Sequence, residues 1–211
     1  MKDREPMRQV LVKRRVVVGG LLLAAMGGSV VPTLASPAIG KTTEIRGDVR
    51  RRQAEKEDAL AVGAQLFDND HVRTQAESFA TLVLGADTRV LLGAETDLLV
   101  DRFIAGQGGT LELGTGRMVF DRPEGLPKVD VAVRTAFGMI GVRGTRFFCG
   151  PSKVAFAVFV EHGSVAVAAG GVTQIVAAGQ GVEFKQRGDA PSDPVNWGQA
   201  RIREAYASVG L

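Results

Sequence analysis

From Thr42 to Gln186 apolar and polar residues alternate in short runs broken by turn residues. SFATLVLG, TRVLLG, TDLLVD, TLELG, VDVAVRT, SVAVAA and TQIVAA each keep a period of about two over four to eight residues. TTEIRGDV, RMVF, TRFFC, KVAFAVFVE and GVEFK have the same β-branched and aromatic character. Turn clusters separate them, among them Asp68-Asn69-Asp70, Gly85-Ala86-Asp87, Pro123-Glu124-Gly125, His162-Gly163 and Gly170-Gly171. Many short strands without intervening helices predict an all-β fold: an antiparallel sandwich or roll, or a short β-solenoid. A parallel α/β sheet would need crossover helices, and the pattern contains none.

The run KVAFAVFVE is apolar on both faces. Val154, Phe156, Val158 and Val160 fall on one side, and Ala155, Ala157 and Phe159 on the other. That predicts a central strand covered on each side. With SVAVAA returning after His162-Gly163, it also predicts a hairpin.

The pattern changes at both ends. DAPSDP is a turn-rich linker, and PVNWGQARIREAYASV reads as one helix with Asp193 as N-cap and Pro194 in the first turn. Its apolar residues Val195, Ile202, Tyr206 and Val209 suit docking on the sheet; an oligomerising or partner-binding helix is the other reading. At the amino end a basic segment precedes the uncharged run Val16–Val31, and small residues follow. This is the order of an export signal. Sixteen apolar residues, four of them glycine, fall short of a membrane span. Arg14 and Arg15, followed by three valines, resemble a twin-arginine signal, although Lys13 stands where Ser or Thr is usual. The general secretory route and an uncleaved anchor are the alternatives. Cleavage is expected after Ala35 or Ala38. The organisation predicted is an export signal over 1–38, a β domain over 42–186, and a linker with a C-terminal helix over 187–211.

Charge changes meaning once the signal is set aside. The 211 residues carry 26 basic and 23 acidic side chains, net +3, with a sequence pI near 9.3. Six of the basic and two of the acidic residues lie in 1–38, which leaves 20 against 21, net −1. No nucleic-acid partner is expected from such a balance. Arg50, Arg51 and Arg52 are followed at once by Glu55, Glu57 and Asp58, as on a solvated face or turn.

Candidate chemistry is thin. One cysteine, Cys149, rules out an internal disulfide and a multi-cysteine metal site, and its neighbours Phe147 and Phe148 place it in a core. His71 and His162 sit at turns. Glu95, Asp97, Asp101, Asp68 and Asp70 could pair as acid and base or bind calcium, but fit solvated strand ends and turns. No cofactor, metal or enzymatic activity is expected; an envelope hydrolase with an unrecognised carboxylate pair is the competing class.

One stretch stands apart: TAFGMIGVRGTRFF, Thr135 to Phe148, with glycine at 138, 141 and 144 and Arg143 between two of them. A phosphate-binding loop would lead into a helix, and here a strand follows. Gly144 suits a bend with positive φ, and the five donors of Arg143 suit tying down carbonyls or a nearby carboxylate. Arg143, Gly144 and Thr145 are thus structural first and candidate binding residues second.

Val133, Thr135, Val142, Arg143, Gly144, Thr145 and Phe147 resemble the most recognisable block of the FecR-type periplasmic domain, with Ala136 where that family often has proline. Val62 to Leu92, Gly114 to Phe120, VEHGSVAV and VAAGQGVEF resemble its flanking segments, so the likeness runs from about Thr42 to Lys185. The resemblance implies signal transduction through protein contacts in the cell envelope. In that family a cytoplasmic segment controls a sigma factor; only about 15 residues precede the apolar run here, so sigma-factor control is not implied. The function expected is a periplasmic, non-catalytic binding or scaffold module with a protein partner in the envelope. It would touch the membrane only through the signal segment, if uncleaved. The alternative is a FecR-like signal transducer anchored in the inner membrane by that segment.

Overall fold

The computed structural model describes residues 36–153 and 155–211. The readings at Arg14, Arg15 and Ala35 lie outside them; Ala38 is exposed just ahead of the first strand.

In chain order the strands are β1 (Gly40–Arg46), β2 (Val49–Gln53), β3 (Lys56–Ala59), β4 (Gln65–Leu66), β5 (Asp70–Thr74), β6 (Phe79–Leu84) and β7 (Thr88–Leu92). They continue with β8 (Asp97–Ile104), β9 (Gly108–Thr115), β10 (Met118–Asp121), β11 (Asp130–Thr135), β12 (Met139–Arg143) and β13 (Arg146–Ser152). The last are β14 (Ala155–His162), β15 (Ser164–Ala169), β16 (Val172–Ala177), β17 (Gln180–Phe184) and β18 (Val195–Asn196), and a helix α1 (Gln199–Ala207) closes the chain.

Two nine-stranded sheets result. The first runs β18-β17-β14-β13-β10-β7-β6-β1-β4 and the second β16-β15-β12-β11-β9-β8-β5-β2-β3. The chain therefore alternates between layers every one or two strands. All pairings are antiparallel but one: β11 lies parallel to β9. Their crossover is a strand of the first sheet, β10, not a helix. This is how a parallel pair arises here without an α/β fold.

The alternation of apolar residues builds three layers. Inward residues of both sheets, such as Leu82, Val90, Leu98, Leu111, Val133 and Phe147, form one core. The other face of the first sheet carries a second core of Val119, Phe148, Ala157 and Phe159, covered by Trp197, Ala205 and Val209. In β14, Phe156, Val158 and Val160 belong to the first core and Ala157 and Phe159 to the second. A strand apolar on both faces is thus central and covered on both sides.

Two expectations are corrected. The segments β14 and β15 do not form a hairpin: β14 pairs with β13 and β17, and β15 with β12 and β16. Gly163, at φ +80°, turns the chain across the gap between sheets instead of back along one sheet. The C-terminal helix starts at Gln199 with extended Gly198 as N-cap, not at Asp193. Val195 and Asn196 instead pair with β17, whose edge offers main-chain partners that a nascent helix end lacks. The arginine run lies in β2, between β5 and the edge strand β3; Arg50 and Arg52 are exposed, as on a solvated face, and Arg51 and Arg52 stand opposite Asp58 and Glu57.

Candidate functional site

The block singled out in the sequence folds as two turns. Thr135 closes the first. Its hydroxyl oxygen accepts the N–H groups of Phe137 and Gly138, both at 3.1 Å, and its N–H donates to Gly138 O at 2.9 Å. Phe137 is thereby held against Phe156, ring centroids 4.4 Å apart and nearly parallel.

The second turn is the Arg143-Gly144-Thr145 corner, where the chain leaves β12 in one sheet for β13 in the other. Gly144 has φ +69°. Beside it the chain crosses back through Gly163. A Cβ on Gly163 would lie 2.6 Å from Thr145 Cγ2 and 3.1 Å from the Gly144 carbonyl oxygen. The two corners are nested, and that contact buries Thr145 completely. Its carbonyl accepts the Arg122 N–H at 3.1 Å. Arg143 turns outward instead. Its side chain is 72% exposed, with Nε 3.6 Å from Asp130 Oδ1, its cross-strand neighbour. It thus meets a carboxylate, as one reading of the fork allowed, and ties down no carbonyl. An exposed pair of this kind contributes little. Arg143→Ala is expected to shift the free energy of unfolding by no more than about 0.5 kcal/mol, read by chemical denaturation.

The carbonyl-tying arginine is Arg122, which the sequence reading missed. It is 5% exposed. Nε and Nη2 donate to Pro127 O at 2.9 and 2.7 Å, and Nη1 to Thr88 Oγ1 at 3.0 Å. The fork fixes the Pro123–Pro127 loop that leads to the corner. An arginine inside a proline-containing loop was the only signal for it.

The carboxylates considered for acid–base work are dispersed. Asp97 pairs with Arg73 at 2.5 Å, and His71 Nδ1 stands 3.6 Å from its other oxygen. Asp101 faces Arg134 at 3.7 Å. Asp68 accepts the Phe103 N–H at 2.9 Å, and Glu95 occupies a turn at φ +53°. Asp70 departs from the expected solvated turn, because it is fully buried. It accepts the Phe67 N–H at 2.9 Å, with Arg51 Nη1 at 3.8 Å. Burial raises its carboxyl above the ordinary value of 3.8, outweighing the Phe67 bond and the Arg51 charge. A raised folded-state pKa means the native state holds the proton more tightly. Asp70 therefore costs stability as pH rises from the ordinary carboxylate range through the raised value, and the cost is constant above it. The stability of wild type minus that of Asp70→Asn is expected to fall across that window in denaturation at a series of pH values; a difference that rises with pH contradicts this.

His162 Nδ1 lies 3.6 Å from exposed Glu124, and Cys149 is wholly buried, which pushes its thiol pKa up and removes it from chemistry. Among the described residues no three His, Cys, Asp or Glu side chains gather as metal ligands. An apolar hollow of about 190 Å³ opens beside Phe137, Phe156, Leu113 and Pro151 with Arg187 at its rim. It is smaller than the roughly 300 Å³ at which small-molecule sites begin. No helix of the described residues is long and apolar enough to cross a membrane.

Fold and site together define an all-β, two-sheet module whose most distinctive motif is an architectural corner. Residues 70–166, which run from β5 into β15 and include both nested corners, match the family described as FecR protein. Two crystal structures of a "putative anti-sigma factor" from Parabacteroides distasonis are similar at 21% identity and a TM-score of 0.46, covering 58% of this chain. The chain spans 59% of the length of those solved relatives. No curated protein matches it.

Proposed function

We propose that the chain is an exported, non-catalytic FecR-type module that binds a protein partner in the cell envelope as part of signalling. The observation that carries this reading is the match of residues 70–166 to the FecR family, whose motif residues Gly144 and Thr145 build the corner while Arg143 faces outward. Recognition then falls to outer surfaces. Arg134 and Arg143 lie on the exposed face of the second sheet, at opposite ends of the β11–β12 pair, 57% and 72% exposed. Export through the Arg14-Arg15 signal, with cleavage after Ala35 or Ala38, accords with a body in which, among the described residues, the first main-chain bonds are made by Ile39, to Leu66 and Gly85.

A photo-crosslinking residue placed at 134 or 143 in intact cells tests this. The expected result is a discrete adduct with a second protein that disappears when Arg14 and Arg15 are both changed to lysine. Adducts that persist in full when export is blocked, or none at either position, would overturn the reading.

A further inference from the structure

A β-sheet edge exposes unpaired N–H and C=O groups, and proteins blunt such edges by shortness, charge or proline. The two sheets have four edge strands. β4 and β18 are two residues each, and β3 is Lys-Glu-Asp-Ala, three of four residues charged. β16 is different: six residues, Val-Thr-Gln-Ile-Val-Ala, with no charge and no proline.

Its free groups can be placed. The turn from β15 to β16 has two residues, Gly170 and Gly171, both at positive φ (+55° and +77°). A two-residue turn of this kind makes its flanking residues a hydrogen-bonded pair, and bonded pairs then alternate along the ladder. The pairs joined by hydrogen bonds are therefore Ala169–Val172, Val167–Gln174 and Val165–Val176. The main chains of Thr173, Ile175 and Ala177 face away from β15. The Ala177 N–H is taken by Gln180 Oε1 at 3.2 Å, as this phase requires. Among the described residues Thr173 and Ile175 have no main-chain partner on that side. The linker reaches β16 through a side chain, Gln174 Nε2 to Asp193 Oδ1 at 3.2 Å, and itself bonds to β17.

The side chains tell the same story. Ile175 is 62% exposed and Val172 41%. Met139, on the outward face of β12 two strands in, is 48% exposed, and Val195 on the neighbouring edge of the first sheet is 53%. The charges nearest on that face, Arg134 and Arg143, are already matched by Asp101 and Asp130. The occupant of such an edge must be an extended, uncharged strand with β-branched residues in alternation. This chain carries one such strand with its own edge free.

We propose that β16 pairs antiparallel with β16 of a second copy about a two-fold axis through Gln174, joining the two copies along the second sheet. In that register Thr173 of each copy stands opposite Ile175 of the other, and each pair exchanges both main-chain bonds. Ile175 packs across the junction on the outward face, and the nearest charge, Asp193, already accepts a bond from Gln174. The two-fold satisfies both edges at once, so assembly stops at two. Contact confined to one strand and its apolar border is small, so the dimer is weak and concentration-dependent.

Sedimentation equilibrium over a concentration series tests this on purified wild type, Ile175→Lys and Val62→Lys. Both substituted residues are 62% exposed, so neither change disturbs the core. Wild type is expected to rise from the mass of one chain towards that of two. Ile175→Lys, which sets like charges together at the junction, should weaken this by about tenfold or more. Val62→Lys should match wild type. A single-chain mass at every concentration overturns the proposal. So does self-association that survives Ile175→Lys, or that Val62→Lys weakens equally.

Discussion

Trp197→Ala is expected to destabilise the protein by about 3–5 kcal/mol, the range for deleting a buried aromatic side chain. Trp197 is 7% exposed and holds the third layer in place. Its indole stacks on Phe159 at 4.8 Å and tilts against Phe148 at 6.5 Å. The Arg201 guanidinium lies 3.7 Å from the ring centroid, and Arg201 also bonds to Glu183 and Ser152. The close fit extends to the strand below, where a Cβ on Gly181 would come 2.4 Å from the indole nitrogen. Removing the ring unpins α1 and exposes Phe148 and Phe159 together, so the loss exceeds that of one side chain on an isolated surface. Denaturant unfolding followed by circular dichroism measures it. A loss below about 1 kcal/mol would mean that α1 is not held by this contact. Since the chain has one tryptophan, wild-type fluorescence reports the docking of this layer alone.

Gly163→Val is expected to cost about 3 kcal/mol or more, and Gly144→Val about 1–2 kcal/mol. Both glycines have positive φ, which strains a β-branched side chain. They differ in space. At Gly163 the new Cβ meets Thr145 Cγ2 at 2.6 Å inside the nested corners, whereas at Gly144 the nearest atom is Lys128 Cγ at 3.4 Å, an ordinary contact to a flexible chain. The order of the two losses in thermal unfolding tests the nesting. Equal losses would mean that backbone strain alone matters, and a larger loss at Gly144 would contradict the packing described.

The corner shows what a sequence can and cannot disclose. Gly144 was legible as a bend because arginine, glycine and threonine interrupt an apolar run. Its partner Gly163 was not, because the contact joins residues 19 positions apart through two different sheets. A period of two says which side of a strand faces the core, but not which strand lies beside it. The same limit explains the expected β14–β15 hairpin, which is a crossing between sheets, and the unforeseen parallel pair β9–β11. Polar strands at the sheet border also escape the pattern: β2 and the edge strand β3 set charged residues opposite each other and carry almost no apolar signal. At the carboxyl end, Val195 fits both a helical stripe and an edge strand, and only the open edge of β17 decides. The two-faced apolar pattern of β14, by contrast, disclosed its central place directly, since both cores lie within one residue of each other along that strand.

The proposal that this FecR-like chain works as a free exported module is tested most directly by the amino terminus and intact mass of the protein from fractionated cells. A chain beginning at Ser36 or Ile39 in the soluble periplasm is the predicted result. A chain that retains Met1 to Ala35 in the inner membrane would contradict it, and would make the protein an anchored transducer.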